Sequence, residues 1–309
     1  MDHRQFLASL SPEQCRDLTE KSDRRGLAQL ALHWGAILLV GGLIAARVPF
    51  WPLLLPLQGV LLVFLFTLLH EASHQTPFRA PWLNMLAAWS SGLVIGLPPR
   101  WFRYFHFAHH RFTQIPGKDP ELAEPKPESW AQYLTYVSGI PVWISHARAL
   151  ARNAAGRCTD DYVPAARRDA VRDEARIMIG VYMALLTLSL ALGTPVLVFV
   201  WLLPMLLGQP FLRLYLLAEH GRCAYVANML ENTRTTLSNR LVRRLAWNMP
   251  YHAEHHSYPT VPFHRLPDLH RLIAPHLAVT EAGYASFHAR YAPDLNGSAA
   301  PARAEPPAP

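Results

Sequence analysis

Leu68-Leu69-His70-Glu71-Ala72-Ser73-His74 closes a run without formal charge that begins at Val48, and this junction decides the fold. Upstream of it, more than twenty uncharged residues at about 1.5 Å each are long enough to cross about 30 Å of hydrocarbon. At the junction itself, two histidines four positions apart stand on one face of a helix, where two imidazoles can grip one ion. A membrane span that ends in a pair of metal-binding side chains implies a metal held at the membrane face.

Outward from this point the chain repeats the theme. Leu27–Ala46 is also uncharged, separated from the Val48 run only by Arg47, with Pro49 just beyond. Residues 177–212 form a longer uncharged stretch interrupted by Gly193-Thr194-Pro195, which reads as a tight turn between two helices. The expected fold is therefore an all-α membrane protein with four transmembrane helices in two hairpins, at about 27–46, 48–70, 177–193 and 195–217. Interfacial helices and a helical cap carrying the histidines complete it. Two hairpins place both termini, the segment 79–176 and everything after Arg213 on one side. Nearly all Lys and Arg lie there, against Arg47 alone in the two outer turns, so the positive-inside bias assigns that side to the cytoplasm. The expected location is a bacterial inner membrane, with both termini and the active site cytoplasmic.

Ala80–Pro99 is uncharged too, and hydropathy alone scores it as a fifth span. If it crossed, the histidines near 106 would lie on the opposite face from His70, and no shared metal site would form. The segment is expected to be an interfacial or re-entrant helix pair broken at Ser90-Ser91-Gly92, with Trp82, Trp89 and Trp101 near headgroup depth.

The second and third clusters, His106-Phe107-Ala108-His109-His110 and His252-Ala253-Glu254-His255-His256, both space histidines at i, i+3 and i+4. Eight of the 16 histidines thus fall in three short windows, which chance placement rarely produces. His220, in Leu217-Ala218-Glu219-His220-Gly221 at the end of the fourth span, mirrors His70. His33, His146, His264, His270, His276 and His288 stand alone and read as satisfied core or surface residues. Imidazole ligates first-row metals when its second nitrogen is held by a carboxylate or carbonyl, and Glu71, Glu254 and Asp119 are candidate holders. Eight or nine histidines exceed the four ligands of a structural zinc and the two axial ligands of a haem, so two metals are the economical account.

Composition narrows the field. The chain has 309 residues, 51% hydrophobic and 17% charged, too apolar for an average soluble domain. Cys15, Cys158 and Cys223 are far apart and suggest neither disulfides nor a thiolate metal centre. A net charge of +7 fits a basic face against anionic lipid, and no nucleic-acid partner is expected. A zinc hydrolase would leave most of the histidines unexplained, and a bis-histidine haem carrier would need facing pairs inside the spans rather than at their ends. A non-catalytic lipid sensor is disfavoured by the complete set of clusters.

Tyr251-His252-Ala253-Glu254-His255-His256 followed by Tyr258-Pro259-Thr260-Val261-Pro262-Phe263, together with His109-His110-Arg111-Phe112-Thr113 and Asp119-Pro120-Glu121, resembles the histidine boxes of the integral-membrane fatty-acid desaturase superfamily. The likeness covers roughly 27–291. It implies that His70, His74, His106, His109, His110, His220, His252, His255 and His256 bind two Fe ions, with no catalytic side chain beyond these ligands. It implies O2-dependent desaturation of a long acyl chain, lipid-, thioester- or sphingoid-linked. Hydroxylation or ketolation of a lipid, carotenoid or other small substrate on the same scaffold is the alternative. The chain carries no electron-transfer module, so a separate ferredoxin- or cytochrome-type donor is expected, and Arg240, Arg243 and Arg244 offer a basic landing face. Some members place Asn four residues before the lone histidine; here that position is Leu216. Asn248, four before His252, reads as a capping or core residue. Trp101-Phe102-Arg103-Tyr104 is a candidate headgroup contact.

Three regions are expected: a cytoplasmic N-terminal helix within 1–26, where Ser11-Pro12-Glu13-Gln14 reads as a capping box, the membrane domain 27–291, and a disordered tail 292–309 rich in Pro and Ala.

Overall fold

The computed structural model describes residues 1–296. Two capping boxes open the chain. Asp2 caps α1 (His3–Ser9) and Ser11 caps α2 (Pro12–Leu18), each with a glutamine at the third helical position returning the bond. There follow α3 (Asp23–Ala45), α4 (Leu55–Val63), α5 (Leu65–Ser73), α6 (Pro81–Ile95), α7 (Pro99–Phe112), α8 (Trp130–Ser138), α9 (Ile140–Ala154) and α10 (Arg168–Ala191). The chain continues through α11 (Leu203–His220), α12 (Met229–Asn232), α13 (Arg240–Leu245), α14 (His252–Ser257), α15 (Leu266–Ile273) and α16 (Tyr284–Tyr291). The strands among the described residues are one parallel pair, β1 (Thr235–Thr236) against β2 (Thr280–Glu281). The protein is all-α.

Four helical stretches are long and apolar enough to cross a membrane: Pro12–Ala45, Trp51–Ser73, Ala165–Ala191 and Val198–His220. Each overlaps one of the four expected spans, and the first and third begin well before it. Leu38, Leu39, Leu188 and Leu190 are among many large apolar side chains exposed on them. In water each would forfeit the ~1.5–3 kcal/mol that burial of such a side chain brings, a loss that hydrocarbon removes.

The chain divides into two compact units. One holds Ser22–His106 and Val137–Leu212, and so most of the apolar helix surface. Its first span, α3, starts at Ser22, whose hydroxyl accepts the Arg25 N–H (3.3 Å). The outer turn after α3 passes through Arg47 and Phe50, both with positive φ. The second span then enters as a 3-10 turn, Trp51–Leu54, continues as α4, and bends at Phe64 before α5. Val40, Ile44 and Leu55 pack here against Phe199, Val200 and Leu203. Gly59 of α4 and Gly208 of α11 cross backbone to backbone: a Cβ on Gly208 would lie 2.2 Å from the Gly59 carbonyl. Small residues at such a crossing let helices approach where no hydrophobic force drives them together. His33 is buried and bonds the Leu61 carbonyl oxygen through Nε2 (2.8 Å), a structural histidine as expected.

The segment after α5 departs from expectation in one respect. α6 runs unbroken through Ser90-Ser91-Gly92 and stops only at Gly96, in the left-handed region at φ +70°. Gly92 serves packing rather than interruption, since a Cβ there would meet the Leu97 carbonyl oxygen at 2.6 Å as the chain folds back toward α7. At about 1.5 Å per residue, α6 is too short to cross about 30 Å of hydrocarbon, in keeping with the rejection of a fifth span. Tyr182 and Trp201 donate to the Leu93 and Val94 carbonyls (both 2.8 Å), fixing its C-terminal end.

The other unit comprises Met1–Lys21, Phe107–Tyr136 and the chain from Arg213 onward. It is built on α14, which is buried over its whole length. The Glu254 carboxylate takes the Thr235 hydroxyl and pairs with His270, tying α14 to β1 and α15. Asn248 adopts φ +58° and donates to the Phe263 carbonyl (2.9 Å), a core hydrogen-bonding role. Ala292–Asn296, the first part of the expected tail, is a 3-10 turn in which Leu295 is buried and Asp294 pairs with Arg222. The rest of the expected tail, 297–309, lies outside the described residues.

Candidate metal centre

α7 carries the second histidine cluster, and its start is held from α10. The Glu174 carboxyl group accepts the Arg100 N–H (2.8 and 3.1 Å) and the Trp101 N–H (3.1 Å), satisfying two backbone donors at the open end of the helix. The Trp101 indole donates to Asp160 (2.8 Å), and Arg152 pairs with the same carboxylate. Trp101 and Phe102 are therefore buried anchors of α7, not headgroup contacts. Their rings have partners inside the protein: Phe102 stacks on His106 (centroids 5.4 Å, 14°) and meets Phe66 edge-on.

His70, His74 and His106 gather in the same unit. The His70 and His106 rings lie 4.2 Å apart, and the Nε2 atoms of His74 and His106 are 2.7 Å apart. Beside them the Glu71 carboxylate accepts the Thr76 hydroxyl (2.7 Å).

The other unit brings together His109, His110, His220, His252, His255 and His256. Ligand atoms of His109, His220 and His256 all lie within 4.8 Å of one another. The Nε2 of His220 is 3.2 Å from that of His109 and 3.1 Å from that of His252, and the Nε2 atoms of His110 and His255 are 3.2 Å apart. On the outer side, Nδ1 of His109 donates to Asp119 (2.9 Å) and Nδ1 of His220 to the Asn232 carbonyl (3.2 Å). Nδ1 of His256 meets the Thr113 hydroxyl oxygen (3.1 Å). That hydroxyl spends its own proton on the His109 carbonyl (2.7 Å), so His256 must be the donor. The Glu219 carboxylate lies 3.4 Å from Nδ1 of His252.

A neutral imidazole has one N–H. With Nδ1–H committed outward, each Nε2 presents a lone pair inward, and lone pairs facing at 3.1–3.2 Å repel unless a cation lies between them. The tautomers follow from the bond network. Two atoms each about 2.1 Å from a shared ion, at the angles of tetrahedral or octahedral coordination, are themselves about 3.0–3.4 Å apart. The observed spacings fit that geometry. Nε2 of His256 is buried with no hydrogen-bond partner among the described residues. Desolvation, reinforced by the imidazoles around it, holds His256 far below the ordinary imidazole range, so it stays neutral as a ligand must. The residues present therefore fit a metal bound by imidazole, with outer partners that orient each ring.

Glu121 approaches the same group. Its Oε2 lies 3.4 Å from Nε2 of His109, while its Oε1 pairs with Lys126. Desolvation opposes its ionisation, but Lys126 and His109 outweigh this and hold the carboxyl well below its usual range. Desolvation likewise opposes charge on His109, and the Glu121 and Asp119 carboxylates overcome it and favour a cation there.

Of the expected outer partners, Asp119 meets its histidine. Thr113, Asn232 and Glu219 were not foreseen. Thr113 lies three residues after the second histidine cluster and Glu219 directly before His220, which is the only local signal they carry; Asn232 carries none.

Comparison with curated proteins returns no match. A family model described as Fatty acid desaturase matches residues 46–288, a stretch that includes all three histidine clusters and His220. With most of its length matched and its histidines gathered in this way, the chain belongs to the fatty acid desaturase family of membrane oxidoreductases.

Proposed function

We propose that the protein carries out O2-dependent desaturation of a long acyl chain at a di-iron centre held by His70, His74, His106, His109, His110, His220, His252, His255 and His256. The observation that carries this reading is the set of inward-facing Nε2 atoms whose outer nitrogens are fixed by Asp119, Asn232 and Thr113. Iron bound there supplies the activation of O2 and the oxidation of an unactivated CH2. The chain's own residues orient the imidazoles and keep the site dry: His70, His106, His109, His220, His252, His255 and His256 are all buried. The acyl substrate, on a lipid, thioester or sphingoid carrier, reaches the centre from the bilayer. Two electrons per turnover come from a separate ferredoxin- or cytochrome-type protein. In this reading the spans lie in a bacterial inner membrane with the centre and both termini cytoplasmic, an orientation that the positive-inside distribution supports.

Expression in a host with a simple lipid profile, followed by mass spectrometry, tests the reaction. A lipid lighter by about 2 Da reports desaturation, and one heavier by about 16 Da reports hydroxylation on the same scaffold. Metal analysis of the purified chain should give two irons; one zinc and no iron from iron-replete cells refutes the centre.

A further inference from the structure

We propose that Glu121 is an oxygen ligand of the metal ion that His109 binds, so that one of the two metals sits in a mixed imidazole–carboxylate shell. The inference rests on the di-iron reading above and departs from the all-histidine ligand set.

Asp119 and Glu121 are two residues apart, and the loop between α7 and the 3-10 turn Pro120–Ala123 turns them onto opposite nitrogens of one ring. Asp119 accepts the Nδ1–H of His109 (2.9 Å) and also the Glu121 N–H (2.9 Å), which fixes where the Glu121 side chain starts. Glu121 Oε2 then lies 3.4 Å from Nε2 of His109, the nitrogen that also stands 3.2 Å from Nε2 of His220. In the metal-bound state His109 must be neutral, and with its one N–H given to Asp119 its Nε2 then turns a lone pair toward Glu121. Carboxylate oxygen and lone pair repel, and a cation between them turns repulsion into shared coordination. The 3.4 Å separation falls in the range of about 3.0–3.4 Å for two ligands of one first-row ion. Lys126 occupies the other oxygen, so Glu121 has one oxygen for a protein cation and one for the metal. The competing arrangement is a metal-free pair of ion contacts in which a protonated His109 and Lys126 share the Glu121 carboxylate.

The full chain, purified in detergent and stripped with chelator, is titrated with Co(II) under anaerobic conditions, and the visible ligand-field bands are followed. The expected result is two Co(II) per wild-type chain, and in Glu121→Gln a loss of about 10-fold or more in affinity at one site with displaced bands for that ion alone. Lys126→Met keeps the wild-type bands. Glu121→Asp, which retains the charge on a shorter stem, shifts the bands less than Glu121→Gln and serves in its place if the amide variant does not fold. The proposal is overturned if the Glu121 variants bind both ions with wild-type affinity and bands, or if Lys126→Met reproduces the whole effect. A wild-type chain that binds no Co(II) or iron at its histidines defeats the di-iron reading itself, which is a separate outcome from failure at Glu121.

Discussion

Replacing Asp119 by Asn changes one oxygen to an amide nitrogen at nearly constant volume. In the native protein Oδ1 accepts from His109 Nδ1 (2.9 Å) and the Glu121 N–H (2.9 Å), and Oδ2 accepts the Gln114 N–H (2.8 Å). Asparagine has one accepting oxygen. If it faces His109, the new NH2 meets the Gln114 N–H, and a buried backbone donor is left unmet at a cost of about 1–3 kcal/mol. If it faces Gln114, the NH2 meets His109 and forces the tautomer with Nε2–H pointing inward, where no metal can bind. The first rotamer keeps the ligand but removes the charge that raises its basicity, a change that weakens a metal site by about 10–100-fold, or about 1.4–2.7 kcal/mol. Asp119→Asn should therefore lose iron to a chelator at 10–100-fold lower concentration, and its unfolding midpoint in detergent should fall as well. Iron retention and melting both equal to wild type would falsify the assignment of Asp119 as the partner that sets the His109 tautomer.

Thr113→Val should release iron more readily than wild type by about 10-fold, because His256 loses the acceptor for its Nδ1–H, whereas Thr113→Ser should not; chelator competition separates the two. Gly208→Ala should destabilise the protein by about 1–3 kcal/mol or more, since its Cβ would sit 2.2 Å from the Gly59 carbonyl. Gly35→Ala is the control for that melt, with nothing within 4 Å of its Cβ and better helix propensity, and should leave the midpoint unchanged or raise it. Glu174→Gln should cost about 1–2 kcal/mol by thermal unfolding, because one of the paired backbone donors at the start of α7 loses its accepting oxygen.

The sequence by itself determined the four spans, the capping box at Ser11 and the histidine clusters, because each rests on local spacing: apolar run length, the cap-to-third-position register, and imidazoles a helical turn apart. It also led to the expectation that Ala80–Pro99 is no span, and α6 is short for one. Only the tertiary structure decided what Gly92, Trp101 and Gly208 do. Ser90-Ser91-Gly92 has the composition of a break, yet the glycine yields space to a returning chain. Trp101 has the character of an interfacial anchor, yet Asp160, far along the chain, takes its N–H. The outer partners of the histidines divide the same way. Asp119 was legible as a carboxylate close to the second cluster, whereas the Asn232 carbonyl and the Thr113 hydroxyl reach His220 and His256 only after the loops fold. A backbone carbonyl has no sequence signature, so the groups that fix which nitrogen of each imidazole faces inward are set by the path of the folded chain.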